Sequence, residues 1–253
     1  MLEKATGLDA DEIVVDLEDG VAANEKGAAR ANLSRAEARG TLALRINGVG
    51  TPWWQDDLAA VDSARFDVVV VPKVSSADEL AVVVEQLPAG VGLEAQIETA
   101  RGLVEVERIA ALGAPLEALV FGPGDFAASI GVPVLTIGAG ASDYALARIV
   151  VAARAFGLQV VDGPWAALED EAGLEASARR ALALGCDGKW VIHPRQIAPV
   201  TNAFTPSDDQ IEWARRIAAA PDGASTLDGE MVDAAARRLA EGVIARAVRP
   251  SAP

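Results

Sequence analysis

Carboxylates recur where apolar runs end. Glu98 closes LEAQIE (93–98), and Asp125 falls in LVFGPGDF (119–126), the next such run. If both runs are parallel strands, their loops open at the same end of the sheet and the two carboxylates can converge. Two carboxylates completed by water suit a hard cation such as Mg²⁺, with Mn²⁺ as an alternative, because Mg²⁺ needs few protein ligands and keeps part of its hydration shell. Asp125 alone reads equally well as a helix cap; the pair together favours a metal site.

Other polar groups repeat the pattern. Asp16, Glu18 and Asp19 cluster after EIVVD, with Glu18 ahead of Asp19 as a site residue. Arg45 and Asn47 flank Ile46 at the end of LALRIN, and strand alternation puts Arg45 on one side with Ala43. A guanidinium there can grip a carboxylate or enolate oxygen bidentately, or it can bridge the Asp-rich loop without touching substrate. Lys73, after Pro72, orients acids or serves the fold; Lys26 and Arg30 share a helix face.

The remaining chemistry-bearing residues are sparse. His193 is the only histidine and Cys186 the only cysteine, so a zinc site of the usual nitrogen or sulfur kind is not expected. His193 either holds loops together through an aspartate or takes part in catalysis, and Cys186 reads as core. Of Trp53 and Trp54, one is expected to cap the core and the other to meet a ligand or a subunit.

The elements that must carry these residues alternate strand-like and helix-like. Strand candidates are 12–16, 41–46, 67–72, 92–98, 116–122, 158–163 and 188–192, with helices near 27–38, 53–63, 77–87, 102–112, 143–156 and 170–184. That alternation argues for βα units and a parallel sheet. Seven candidates stand where a closed (β/α)₈ TIM barrel needs eight, and MLEKATG reads as the end of a helix that would follow a missing first strand. The expectation is a TIM barrel over 1–204 lacking that strand, with a doubly wound sheet as the alternative. Residues 205–253 form a C-terminal helical extension, too short for its own core, that packs on the barrel or a neighbouring subunit. It comprises a helix capped by Ser207 or Asp208, a Gly-rich connector and a final helix.

Composition limits the function. With 22 Lys+Arg against 37 Asp+Glu the net charge is −15, and no basic tract exists to neutralise phosphates, so no nucleic-acid partner is expected. Hydrophobic residues make up 51% of the chain, enough for a large core, yet no stretch approaches a membrane span. No membrane partner and a cytoplasmic location are expected.

In order, DEIVVDLEDGVAANEKGAAR, LRINGVGTPWW, VVVPKV, QIETARGL, FGPGDFAAS, VVDGPW and GKWVIHPRQI resemble the HpcH/HpaI aldolase and citrate lyase β-subunit family. The likeness is greatest to its CoA-thioester lyases, through RINGVGTPW, YALARIVVAARAFGL and DGKWVIHP. The resemblance implies a barrel that cleaves a 3-hydroxyacyl-CoA of the malyl-, β-methylmalyl- or citramalyl-CoA type to glyoxylate or pyruvate and an acyl-CoA. It implies Mg²⁺ held by Glu98 and Asp125, Arg45 on the substrate's carboxylate or carbonyl oxygens, and Glu18 on metal-bound water or the substrate. It further implies that Asp233, or else Asp228, closes over a neighbouring subunit's site in a homotrimer or homohexamer. Alternatives are a thioesterase, an aldolase on free acids, a citrate-lyase-like β subunit acting on carrier-bound substrate, and a non-catalytic scaffold.

Overall fold

Strand β1 (Glu12–Asp16) leads through a 3-10 turn into α1 (Lys26–Ala31), and β2 (Thr41–Arg45) into α2 (Trp54–Ala59). Next come β3 (Val68–Val71), α3 (Ala77–Val84), β4 (Gly92–Ile97), α4 (Ala100–Val104), α5 (Val106–Ala110), β5 (Leu116–Phe121) and α6 (Pro123–Ser129). Helix α7 (Ala141–Ala155), β6 (Gln159–Asp162), α8 (Glu171–Leu184), the short β7 (Gly188–Lys189) and α9 (Ile197–Phe204) complete the run. These elements belong to a computed structural model that describes residues 5, 7–133, 140–221, 223, 225–227 and 229–247. Most of the MLEKATG segment and residues 134–139 lie outside the described residues.

The seven strands form one parallel sheet in sequence order, β1 to β7, curled into an open barrel. Among the described residues β1 pairs only with β2 and β7 only with β6. Burial on both faces explains why β3 is four valines and why every residue of β4 is buried. Val14, Ala43, Val68, Val70 and Trp190 pack together inside the barrel. Burying a valine there contributes on the order of 1.5–3 kcal/mol before chain entropy is set against it.

Register brings the chemistry level. Asp16 is opposite Arg45, Arg45 opposite Val70, and Ile97 opposite Phe121, so the strands end together and their loops form one mouth. Alternation then aims Asp16, Arg45, Gln96 and Glu98 inward above the valine layer.

Several expected elements differ: the helix expected over 27–38 stops at Ala31 before a 3-10 turn over Leu33–Arg35, and that over 53–63 stops at Ala59. The helix expected over 102–112 is two short helices that part at Glu105, and the strand expected over 188–192 ends at Lys189. Trp190 N–H still donates to Asp162 O, after which Pro194, with no N–H to offer, opens a 3-10 turn.

Contacts divide the chain at Val200 and Thr201. The second unit contains α10 (Asp208–Ala218), a two-stranded antiparallel hairpin of β8 (Ser225–Leu227) and β9 (Glu230–Val232), and α11 (Ala234–Ala247). Ser207 starts α10 with a capping box: its hydroxyl accepts from Gln210 N–H, while Gln210 Oε1 accepts from Ser207 N–H. Ala214, Ile217, Val232 and Ala240 form a small buried core of this unit, contrary to the expectation that it has none. The Gly-rich connector folds as a hairpin that takes in Val232, expected as the start of the final helix, and brings it to that core.

Candidate active site

The acidic loop after β1 is organised by its own backbone. Asp16 accepts N–H bonds from Glu18 (2.8 Å) and Gly20 (2.9 Å), and Arg45 grips it bidentately, Nε to Oδ1 at 2.8 Å and Nη2 to Oδ2 at 2.7 Å. Burial opposes Asp16's charge, but Arg45 and the two N–H donors outweigh it and hold the carboxyl below its ordinary range. Beneath the loop, Lys26 Nζ donates to the carbonyls of Leu17 and Glu18 at 2.7 and 2.6 Å. Asn47 Nδ2 also reaches Leu17 O (3.0 Å), and is itself fixed by the fully buried Asp57, which Arg30 neutralises at 2.9 Å.

These contacts turn Glu18 into the mouth, where it is only 5% exposed. Its Oε2 makes no hydrogen bond and lies 3.1 Å from Arg45 Nη1. With Nε and Nη2 spent on Asp16, Nη1 is the edge of Arg45 that faces Glu18 and, at 3.5 Å, Gln96 Oε1. The indole of Trp190 stacks near the guanidinium at 5.8 Å. Arg45 therefore does bridge the Asp-rich loop, while its remaining edge stays turned to the mouth.

Glu98 follows β4 and is 1% exposed. Gln96 Nε2 donates to its Oε2 at 2.7 Å and Lys73 N–H to its Oε1 at 2.8 Å. Gly122 makes the room: a Cβ there would lie 2.1 Å from Glu98 Oε2. Asp125 projects from the first turn of α6, begun by Pro123 and packed through the edge-to-face pair Phe121–Phe126. Burial first, and then the charge of Asp125, push the Glu98 carboxyl up to about 8. A cation between them would reverse that penalty, and an all-oxygen pair is the donor set of a hard cation. Among the described residues no three His, Cys, Asp or Glu form a ready-made metal cluster.

Lys73 is more central than its place after Pro72 suggests. Its φ is 55°, in the left-handed region, and its ammonium contacts Glu18 Oε1, Asp19 Oδ2 (3.1 Å) and Asp125 Oδ2 (3.6 Å). Burial disfavours its charge, but Glu18, Asp19 and Glu98 raise its affinity for the proton above the ordinary lysine range.

The structure thus brings together Glu18, Arg45, Glu98, Asp125, Lys73 and Asp19. Sequence reasoning missed Gln96 and Asp57. Gln96 was legible, being two residues from Glu98 on the same strand face; nothing in WWQDDLA marks Asp57 over Asp56 as the buried one. Lys26 Nζ lies 5.3 Å from the Trp53 ring, and Trp54 is buried. His193 Nδ1 accepts from Arg195 N–H at 3.2 Å and caps the 3-10 turn. Cys186 is core, and burial pushes its thiol up to about 12.

Asp233 belongs to the second unit. Its Oδ1 accepts from the N–H groups of Ala235 and Ala236, both at 2.9 Å, which caps α11 and holds the carboxyl below its ordinary range. Asp228 lies outside the described residues.

An open parallel barrel whose strand-end loops gather acids and two cations at one mouth is the architecture of a β/α-barrel enzyme. The chain belongs to the HpcH/HpaI aldolase/citrate lyase family, which residues 1–194 match. It is 37% identical over 292 residues to an L-malyl-CoA/beta-methylmalyl-CoA lyase of Cereibacter sphaeroides, covering 100% of this chain and 92% of the relative. It is 38% identical over 244 residues to a (3S)-malyl-CoA thioesterase of the same species, covering 92% and 85%. Among solved structures, protein CitE from Mycobacterium tuberculosis in complex with magnesium, acetoacetate and coenzyme A is similar with a TM-score of 0.84 and 33% identity, over 94% of this chain and 90% of that one. No helix of the described residues is long and apolar enough to cross a membrane.

Proposed function

We propose that this chain is a Mg²⁺-dependent carbon–carbon lyase that cleaves a 3-hydroxyacyl-CoA of the malyl-CoA type to a 2-oxo acid and an acyl-CoA. The observation that carries the reading is the Glu98–Asp125 pair, with Glu98 set in the space Gly122 leaves and near enough to Arg45 for their charges to interact. Glu98 and Asp125 hold the metal. Bound there, Mg²⁺ supplies Lewis-acid stabilisation of oxygens that carry charge as the bond breaks.

Cleavage removes the hydroxyl proton, breaks the bond between the carbinol carbon and the carbon next to the thioester, and leaves the electron pair as a thioester enolate. That enolate takes a proton at carbon to give the acyl-CoA. Arg45 Nη1 places positive charge where electron density collects, and Asp16 fixes its orientation. Glu18 positions the substrate or water beside it. Asp233, kept ionised by its cap bonds, acts on a neighbouring subunit's site as the acceptor of the hydroxyl proton. The working form is on this reading a homotrimer or homohexamer. A reducing cytoplasm fits the lone buried thiol of Cys186.

The test is incubation of purified protein with Mg²⁺ and (S)-malyl-CoA, β-methylmalyl-CoA or citramalyl-CoA, with products resolved by mass spectrometry. Glyoxylate or pyruvate together with an acyl-CoA, lost on adding EDTA, is the expected result. The 38% identity to a thioesterase favours one second reading, hydrolysis of the thioester. Free CoA with the hydroxy acid intact would establish it in place of the lyase.

A further inference from the structure

Lys73 touches every acid of the mouth except Asp16. Its N–H holds Glu98 Oε1 at 2.8 Å, and its ammonium contacts Glu18, Asp19 at 3.1 Å and Asp125 at 3.6 Å. The left-handed φ of 55° is what lets one residue do both: the N–H turns to β4 while the side chain crosses to the β1 and β5 loops. Lysines rarely adopt that conformation, and this one is held there by anchors at both ends, with Ser75 Oγ donating to its carbonyl at 3.1 Å.

A cation that takes Asp125 Oδ2 as a ligand has to share it with this ammonium. We propose that Lys73 is an internal competitor of the divalent cation: its ammonium neutralises Asp125 and Glu18 until the metal arrives, then withdraws to Glu18 and Asp19. This rests on reading Glu98 and Asp125 as the cation ligands. Two positive charges this close repel even when partly screened. Removing the ammonium both ends that repulsion and leaves Glu18, Asp19 and Asp125 less neutralised, so both effects strengthen metal binding. A lysine that served only the fold would, on removal, weaken the site or leave it unchanged. The Lys73 side chain is 37% exposed, which gives the ammonium a path to swing aside.

Calorimetric titration of Mg²⁺ and Mn²⁺ into metal-stripped full-length protein tests this, comparing wild type with Lys73→Met, Lys73→Arg and Glu98→Gln at low and high salt. Lys73→Met is expected to bind about tenfold more tightly than wild type at low salt, with the gap narrowing as salt screens the ammonium. Lys73→Arg, which keeps the charge, is expected to stay within about threefold of wild type. Metal-free Lys73→Met should melt below wild type and regain the difference when Mg²⁺ is added; Lys73→Gln provides the same comparison if the methionine variant does not fold. Equal or weaker binding by the neutral variants, with binding lost in Glu98→Gln, would overturn the role of Lys73 and leave the metal ligands standing. Binding absent from wild type and neutral variants alike, or unaffected by Glu98→Gln, would overturn the metal ligands and the role of Lys73 together.

Discussion

The barrel carries an acid cluster at each end, with one glutamate from β4 and one from the residue that follows it. At the mouth, Glu98 stands with Glu18 and Asp125. At the opposite end, Glu94 stands with Glu12 of β1 and Glu117 of β5, where the register shifts beside Glu94. Glu94 and Glu98 share one strand face and lie roughly 13 Å apart along it. Burial, and then the charge of a neighbouring acid, pushes both carboxyls up to about 8. The difference lies in what surrounds them. Arg45 and Lys73 stand at the mouth with the N–H groups of Glu18, Gly20 and Lys73. The lower cluster has among the described residues no lysine or arginine partner, and one oxygen of Glu94 is buried without a hydrogen bond. Burial first, and then Glu12, raise the carboxyl of Glu94, and burial also raises that of Glu12. A perturbed carboxylate therefore does not by itself mark a site; convergent cations and N–H donors do.

The sharpest way to break this contrast is to remove a mouth acid. Glu98→Ala or Asp125→Ala is expected to cost about 10³-fold or more in kcat/KM while the fold, followed by circular dichroism, stays intact. Asp233→Ala should lower kcat by about 10²-fold or more. Mixing that inactive variant with inactive Glu98→Ala should restore activity in hybrid oligomers; no recovery would remove the cross-subunit role. Arg45→Lys should cost about 10²-fold in kcat/KM, because an ammonium cannot hold Asp16 with one edge and face the mouth with another; an effect under about twofold would take Arg45 out of the site.

The smallest effect on turnover belongs to the lower cluster. Glu94→Gln should change kcat by less than about twofold, yet alter stability with pH. A folded carboxyl raised to about 8 makes the protein lose stability as pH climbs from the ordinary glutamate range through 8, because the unfolded chain releases the proton first. A glutamine side chain cannot ionise, so the variant's advantage in thermal melts should grow over that window, to on the order of 1–3 kcal/mol. An advantage that shrinks toward alkaline pH would contradict a raised Glu94 carboxyl.

Much of this arrangement is legible in the order of residues alone. Alternating runs mark the parallel strands, and the residues that close them include Glu18, Arg45, Glu98 and Asp125, because loops after parallel strands must share one end. Alternation cannot tell Glu94 from Glu98, since the two share a face and differ only in height along the strand. Lys73 is underrated by sequence because a backbone conformation, not a residue type, lets it reach four carboxylates. The hairpin of the second unit reads as a connector because its strands are three residues each and show no usable period.

The most direct measurement is an anomalous difference map from crystals of the full chain grown with Mn²⁺. A single peak bridging Glu98 and Asp125, about 2.0–2.2 Å from an oxygen of each, is the expected result. A peak among Glu12, Glu94 and Glu117 instead, or none at the mouth at saturating Mn²⁺, would contradict the distinction between the two ends of the barrel.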